Sequence, residues 1–414
     1  MRVFWGNMRI KVVTLGCKLN FAESSALMRT LEAAGHTRAK QGEQPDVIIV
    51  NTCTVTDTAD HKDRQAIHRL RRENPQAQLI VTGCYAALLR QKQQDGTTLV
   101  PSDQTILQEI DRLIPKDETR FVPAWSRDDR TRCFLKVQDG CNYFCTYCTI
   151  PHARGRSRNP YIKDVIAQAE QALREGAKEI VLTGVNIGDF GRSTGEQFID
   201  LLKEIDSIES HEFRVRISSC EPNLLTDEII DFVAQSRHFA PHFHIPLQSG
   251  SNEVLKIMHR RYTRELFAER VAHIRSVMPN AFIGVDCMVG VRGETDVYFA
   301  DYVAFIESLP VSQLHVFTYS ERANTKMLEM NLYNVPKAER ARRSQILHRI
   351  SEQKLAAFYT AHKGEKATVL WESKRIKGTK GAPDQMCGFT ENYIKQMTPY
   401  DAAKINTFED VFIS

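Results

Sequence analysis

Short β-branched apolar runs alternate with helical stretches along most of this 414-residue chain. Strands and helices in strict alternation predict a parallel sheet whose strands are joined by right-handed crossovers. We therefore expect a small open parallel α/β domain over residues 8–120. Its predicted strands are Ile10 to Leu15, Val47 to Val50 and Leu79 to Val81, and its predicted helices run from Asn20 (with Glu23 as a capping box) to near Gly35 and from Asp57 to Glu73.

Each of these three predicted strands is followed by a cysteine, namely Cys17, Cys53 or Cys84. Because the carboxyl ends of parallel strands share one edge of a sheet, we expect the three cysteines to converge there. Three thiolates can hold an iron–sulfur cluster and leave one iron open to a further ligand. The alternative is that they are three buried small apolar residues, which does not explain one cysteine at the same end of each strand.

Composition and the absence of long apolar runs indicate the cellular compartment in which such a protein is expected to act. No apolar run approaches the roughly 20 residues that span a bilayer, and the first residues lack the pattern of a signal peptide, so a cytoplasmic location without membrane contact is predicted. Ten cysteines in such a compartment favour metal or redox chemistry over disulfides. The net charge of +4 permits nucleic-acid binding without requiring it.

The sharpest motif is the C-x₃-C-x₂-C trio of Cys141, Cys145 and Cys148, with Tyr147 beside the last cysteine. Zinc sites usually show two cysteine pairs, so a zinc site completed by His152 is the weaker alternative. The trio resembles the signature of the radical S-adenosylmethionine superfamily. That resemblance implies a [4Fe–4S] cluster on the three catalytic cysteines, with the cofactor's amino and carboxylate groups on the fourth iron.

The segment around this trio predicts a partial (β/α)₆ barrel over residues 127–360, the fold that this superfamily usually adopts. In parallel barrels the loops that follow the strands carry the chemistry, and several of these loops are polar or rich in glycine. The predicted strands are Phe134–Val137, Glu179–Thr183, Phe213–Ile217, His242–Leu247, Phe282–Val289 and Leu314–Phe317. The candidate cofactor-binding residues are Tyr147, Gly184, Asn186, Ser219, Glu221, Gln248 and Ser249, whereas Cys133, Cys220, Cys287 and Cys387 are expected to hold no metal.

Residues 363–414 are predicted to form a small all-β module. Its predicted strands are Ala367–Trp371, Phe389, Tyr393–Lys395 and Ala403–Ile405. Cations mixed with aromatic rings suit single-stranded RNA, because bases stack on the rings while cations follow the phosphates. The alternative is an ordinary solubilising surface. The candidate RNA-binding residues are Lys374, Arg375, Lys377 and Phe389, together with Arg260 and Arg261 after the fourth barrel strand.

Taken together, the two cysteine trios, the barrel and the tail resemble the methylthiotransferase family of radical S-adenosylmethionine enzymes. The matching pieces include Leu-Gly-Cys17, Asn-Thr-Cys53, Thr-Gly-Cys84 and Gln-Asp-Gly-Cys141, and the tail resembles the family's RNA-binding TRAM module. The stretches that begin at Thr183 and Cys387 are similar to the branch that acts on N6-threonylcarbamoyladenosine in tRNA.

This resemblance implies an enzyme that converts that nucleoside, next to the anticodon, to its 2-methylthio derivative with two [4Fe–4S] clusters and S-adenosylmethionine. The second cluster would lie on Cys17, Cys53 and Cys84. The implied partners are tRNA, an external electron donor and a sulfur source, and the protein is expected to be a monomer. Two alternatives remain at this point: a methylthiotransferase that acts on a ribosomal protein, and a non-enzymatic iron–sulfur or RNA-binding protein.

Overall fold

The computed structural model describes residues 7–94, 121–126, 131–209, 212–379 and 381–414. The predicted domain boundaries at residues 120 and 127, and the basic residue Lys380, lie outside these described residues. Within them, no helix has the length and apolar character needed to cross a membrane.

The first domain contains a four-stranded parallel sheet in the order β2-β1-β3-β4, which confirms the predicted architecture. Every residue of β3 is buried, as expected for a β-branched strand that is covered on both faces. The strands are β1 (Arg9–Thr14), β2 (Thr37–Arg38), β3 (Val47–Thr52) and β4 (Gln78–Gly83), and the helices are α1 (Lys18–Ala33), α2 (Asp57–Glu73) and α3 (Cys84–Gln94).

The predicted capping box at the start of α1 was wrong. The helix begins at Lys18, and the preceding Cys17 makes no capping hydrogen bond with its side chain. Asn20 instead lies inside the helix, buried, where its Nδ2 atom donates to Asn51 Oδ1 at 2.9 Å. Glu23 points to the barrel and pairs with Arg154. Both side chains bond to residues that are distant in the sequence, so neither caps the start of α1.

The barrel strands form two sheets, in the orders β5-β6-β7-β8 and β11-β10-β9. All neighbouring pairs are parallel except the short β5, which runs antiparallel to β6. Near the junction of the two sheets, Cys220 N donates to His244 O at 3.1 Å, so the strands continue around a partial barrel. The strands are β5 (Ala124–Trp125), β6 (Cys133–Lys136), β7 (Glu179–Thr183), β8 (Arg214–Ile217), β9 (His242–Gln248), β10 (Phe282–Val289) and β11 (Gln313–Thr318).

Helices cover the outside of these strands and bury their apolar faces against them, which builds the main core. These helices span Ile150–Arg154, Ile162–Arg174, Phe198–Asp206, Asp227–Gln235, Asn252–Ile257, Arg264–Val277, Asp296–Ser308, Lys326–Glu329 and Lys337–Ala361, with a 3₁₀ turn at Ile187–Asp189.

The C-terminal module is an antiparallel sheet in the order β14-β13-β12-β15. Two of its predicted strands were misplaced. Tyr393 has a φ of +65° and lies in a turn, and Ala402–Lys404 is a 3₁₀ turn in which Asp401 caps the Ala403 amide. The strands are β12 (Lys366–Ile376), β13 (Gln385–Phe389), β14 (Lys395–Pro399) and β15 (Phe408–Phe412).

A buried ion-pair group joins the barrel to this module. Glu179 is fully buried and accepts from Arg216 Nε at 3.0 Å and from Arg214 Nε at 2.6 Å. The same arginines donate to main-chain oxygens of the module, including Phe389 O and Thr390 O. Burial alone would raise the pKa of Glu179, but the charges of Arg216 and Arg214 outweigh it and hold the pKa at about 2.

Candidate cluster and cofactor site

The Cys141–Cys148 loop leaves the carboxyl end of β6 and enters the helix Ile150–Arg154. Cys145 is buried, while Cys141 and Cys148 are half-buried. Burial, together with the neighbouring Cys145 thiol, raises the pKa of Cys141 to about 11 and that of Cys148 to about 12. As thiolates, the three sulfur atoms would repel one another. A positively charged group bound to all three would relieve this repulsion.

Arg260 lies beside this trio. Its Nη1 atom donates to Cys145 Sγ at 3.1 Å, its Nε atom donates to Tyr262 Oη at 3.1 Å, and its Nη2 atom pairs with Glu221. The Tyr147 hydroxyl accepts from the same guanidinium at 3.4 Å. Only 3% of this side chain is exposed, so Arg260 is an interior residue that holds the cysteine loop, and its contact with RNA stays a prediction.

The polar loops predicted to bind the cofactor contain buried atoms that lack protein partners. Asn186 Oδ1 and Gln248 Oε1 are both buried without a hydrogen-bond partner. A Cβ atom at Gly184 would stand 2.7 Å from Ile187 Cγ2, so only glycine fits there. Buried polar atoms without partners are costly, and a ligand rich in polar groups, such as S-adenosylmethionine, would satisfy them.

The remaining predicted cofactor residues differ in their surroundings. Ser219 Oγ lies 3.2 Å from His244 Nδ1, and the other ring nitrogen of His244 lies 2.7 Å from Asp286 Oδ1. Ser249 is fully buried, and its hydroxyl accepts from the Ser251 amide at 3.3 Å. Ser219 is therefore placed to meet a ligand, whereas Ser249 supports its own loop.

The structure also brings the first trio to one edge of the N-terminal sheet. A Cβ atom at Gly16, which has a φ of +123°, would stand 2.7 Å from Cys53 Cβ, so glycine lets the Cys17 loop approach Cys53 closely. Cys84 Sγ accepts from Arg154 Nε at 3.1 Å, and the charge of Arg154 also acts on Cys17. This sheet edge faces the short barrel helix Ile150–Arg154, which ends at Arg154.

Arg154 belongs to a buried charge network that sequence reasoning missed. Its guanidinium donates to Glu23 Oε1 and to Asp139 Oδ1, each at 3.0 Å, and Lys136 Nζ donates to Glu23 at 2.8 Å. Although burial raises the pKa of Glu23, the charges of Arg154 and Lys136 lower it to about 2. The partners are up to 131 residues apart in the sequence, so no local pattern could indicate them.

The donor atoms of the two trios bear on which inorganic group they could hold. Among the described residues, no three Cys, His, Asp or Glu side chains surround a position for one metal ion. The donors of both trios are all thiols, the ligand type of iron–sulfur clusters. Each trio also receives an N–H···S bond from a buried arginine, Arg154 on Cys84 and Arg260 on Cys145, a contact that tunes such clusters.

A cavity of about 450 Å³ lies between the Cys17 loop and the carboxyl ends of the barrel strands. Cys17 and Lys18 line it from the N-terminal domain, and Gly184, Ser219 and His244 line it from the barrel. Lys18 escaped the sequence analysis because the helix was expected to begin later. Burial and the charges of nearby arginines lower the pKa of Lys18 to about 8, so it remains mostly protonated at neutral pH.

The other predicted RNA contacts lie in two places. Arg261 is exposed, and its guanidinium lies 4.2 Å from the centroid of the Tyr143 ring. Lys374, Arg375 and Lys377 are exposed towards the end of β12, and Arg375 pairs with Asp384. Phe389 is half-buried, and its ring stacks on Tyr393 at 4.7 Å, so this ring is already engaged within the protein.

Two family models match the chain. The radical SAM superfamily matches residues 135–306, and an uncharacterized protein family, UPF0004, matches residues 9–101. The threonylcarbamoyladenosine tRNA methylthiotransferase of Bacillus subtilis is 38% identical and aligns over 92% of this chain and 88% of its own length. Its namesake in Aquifex aeolicus is 33% identical, over 94% and 96%. The tRNA-2-methylthio-N(6)-dimethylallyladenosine synthase of Desulfitobacterium hafniense is 31% identical, over 97% and 94%.

Among solved structures, the cobalamin-bound radical S-adenosylmethionine methyltransferase TsrM of Kitasatospora setae superposes with a TM-score of 0.55 at 16% identity. The match covers 78% of this chain and 77% of the other. At this identity the likeness establishes the fold, and it agrees with the predicted barrel.

Proposed function

Because this chain belongs to the methylthiotransferase family of radical S-adenosylmethionine enzymes, we propose that it adds a methylthio group to carbon 2 of N6-threonylcarbamoyladenosine in tRNA, next to the anticodon. The observation that carries the proposal is the cavity that Cys17 lines from one side and the barrel loops line from the other. A reaction that joins a sulfur atom to a radical-activated base needs both sites to open onto one space.

The two trios would hold the inorganic groups of this reaction. Bound there, one [4Fe–4S] cluster with S-adenosylmethionine supplies a carbon radical, and a second cluster supplies the sulfur. The residues that would hold the first are Cys141, Cys145 and Cys148, and those that would hold the second are Cys17, Cys53 and Cys84. Their thiols must lose protons to bind iron, and burial opposes that loss for Cys53, Cys141, Cys145 and Cys148 until the metal compensates.

Other side chains would bind and orient the reactants. The buried oxygens of Asn186 and Gln248 would accept hydrogen bonds from the cofactor, and Ser219 would reach its ribose. Arg260 keeps Glu221 and the Cys145 sulfur fixed relative to each other. The target base would leave its stack to enter the cavity, as bases do in other enzymes that modify them.

Three units would share the work: residues 8–120 for the sulfur-carrying cluster, 127–360 for the radical site and 363–414 for RNA. The exposed Lys374 and Lys377 of the C-terminal module would follow the phosphates of tRNA. An external electron donor and a sulfur source would complete the cycle.

The test is mass spectrometry of nucleosides from bulk tRNA with and without this gene. We expect the 2-methylthio form of N6-threonylcarbamoyladenosine to disappear and its unthiolated parent to accumulate. Complementation with the wild-type gene should restore the product, and a Cys145→Ala gene should not. Unchanged tRNA in a strain that has no second such enzyme would refute the proposed substrate.

A further inference from the structure

The cavity beside Cys17 contains an ammonium group to which no described residue is bonded. Lys18 lines it beside Cys17, and among the described residues its Nζ atom has no hydrogen bond or ion pair. Arg132 lines the same cavity, but its guanidinium already pairs with Glu372 at 3.0 Å and donates to Tyr393 Oη at 3.0 Å. Lys18 is therefore the cation in this cavity whose charge remains available to a ligand.

The carboxylates whose charges act on Lys18 are bonded to other partners. These carboxylates are Glu179 and Asp286, whose negative charges act on the Lys18 ammonium. Glu179 is held by Arg216 at 3.0 Å, and Asp286 accepts from His244 at 2.7 Å. Neither carboxylate is bonded to the ammonium, so the described residues supply no direct counter-ion for it.

The backbone around Lys18 adds to the attraction for an anion. It is the first residue of the 16-residue helix α1, whose first turn contains no acidic side chain. Cys17 precedes it without capping the helix, so the positive end of the helix dipole is not offset there. A lysine and a helix start at one wall of a cavity together favour a negatively charged ligand group.

Similarity over the whole chain does not choose between two kinds of substrate. Relatives named for a threonylcarbamoyl-bearing adenosine are 38% and 33% identical, and one named for a dimethylallyl-bearing adenosine is 31% identical. The first substituent ends in a carboxylate, whereas the second is a hydrocarbon. A carboxylate substituent could pair with the Lys18 ammonium, whereas a hydrocarbon substituent would leave it without a partner.

We propose that Lys18 determines specificity by binding the carboxylate of the amino-acid substituent on the target base. This inference rests on the proposed function and names the residue that recognises its substrate. A hydrogen bond to a charged group typically changes affinity by about 10- to 100-fold. Binding of the anionic substituent should therefore exceed binding of a neutral one by that factor.

The experiment compares two anticodon stem-loop RNAs that differ only at the target adenosine. One carries N6-threonylcarbamoyladenosine, and the other carries its methyl ester, which has nearly the same size but no charge. Anaerobic anisotropy titrations of the reconstituted protein measure Kd for each RNA. Product analysis then gives KM and kcat. The proteins are wild type, Lys18→Met and Lys18→Arg, each checked for iron and sulfide content and for cleavage of S-adenosylmethionine.

Wild type should bind the acid RNA roughly 10- to 100-fold more tightly than the ester, with the difference in KM rather than kcat. Lys18→Met should bind both RNAs equally, and Lys18→Arg should keep most of the preference. Equal affinity of wild type for acid and ester overturns the inference, and this comparison needs no variant that might misfold.

Two further outcomes would also overturn it. If Lys18→Met weakens acid and ester RNA by the same factor, Lys18 contacts a backbone phosphate. If instead it raises the Kd for S-adenosylmethionine, Lys18 binds the cofactor's carboxylate. Failure of the proposed function is recognised separately, because wild type would then release 5′-deoxyadenosine without forming any 2-methylthio product.

Discussion

Replacing Glu179 by Gln should loosen the C-terminal module from the barrel. The substitution keeps the size of the side chain and removes its charge, so two buried guanidinium groups, Arg214 and Arg216, lose their only ion-pair partner among the described residues. Breaking a buried ion pair on one side costs about 3–5 kcal/mol. These arginines also donate to Phe389 O and Thr390 O, so the cost falls on the joint between the two units.

The shifted pKa of Glu179 gives a similar magnitude independently. Its pKa is lowered from 4.5 to about 2, and each unit corresponds to roughly 1.4 kcal/mol, so the charged form gains about 3 kcal/mol in the folded protein. Because the folded pKa lies below the unfolded one, this stability is complete above pH of about 4.5 and is lost as the pH falls towards 2.

Hydrogen exchange read by mass spectrometry tests this prediction. In Glu179→Gln, amides of strands β12 and β13 should exchange up to roughly 100-fold faster, the factor that corresponds to about 3 kcal/mol. The matched control is Glu170→Gln, which removes a half-exposed glutamate paired with Arg174 at 3.6 Å and should cost under about 1 kcal/mol. Equal exchange in the two variants would refute the reasoning.

Three other substitutions test the two trios and their loops. Cys145→Ala should abolish release of 5′-deoxyadenosine in a reconstituted assay, and cleavage that persists would remove this cysteine from the radical site. Cys53→Ala should spare that cleavage yet stop sulfur insertion, measured by product mass spectrometry, and loss of both would contradict separate roles for the trios. In Gly140→Ala the new Cβ would stand 2.1 Å from Arg156 O, so this variant should have a clearly lower thermal midpoint than the wild type. The control is Gly42→Ala, because Gly42 also has a positive φ but lies in open space, and its replacement should cost about 1 kcal/mol. The midpoint should therefore fall much further in Gly140→Ala than in Gly42→Ala. Similar midpoints for these two variants would show that the loop before Cys141 can move aside.

The parts of the fold that could be predicted are those that local patterns decide. The helix Asp57–Glu73 and the strands Glu179–Thr183 and Phe282–Val289 have the predicted bounds. Their apolar residues recur with helical spacing or form continuous buried runs, which are properties of a short window of sequence. The convergence of Cys17 and Cys53 was also predictable, because parallel strands bring their carboxyl ends together.

The errors arose where distant partners override local preference. Asn20 and Glu23 fit a capping box, yet they bond to residues 31 and 131 positions away. Ala403 is an exception with a local cause, because the side chain of Asp401, two residues earlier, accepts from its amide and favours a 3₁₀ turn. Arg260 was assigned only to RNA, and the contact of its buried guanidinium with Cys145, 115 residues away, was missed. A single sequence carries no signal for contacts of this kind.

The two buried arginines that bond to cysteine sulfurs bear on how the proposed clusters would differ. Arg154 donates to Cys84 and also pairs with Glu23 and Asp139, whereas Arg260 donates to Cys145 and pairs with Glu221. Hydrogen bonds to sulfur and local charge help to set the reduction potential of an iron–sulfur cluster. Both arginines come from the barrel, although Cys84 belongs to the N-terminal domain. The barrel therefore contributes to the electrostatics of both trios, and Arg154→Gln would perturb the proposed sulfur-carrying site by a substitution made outside the N-terminal domain.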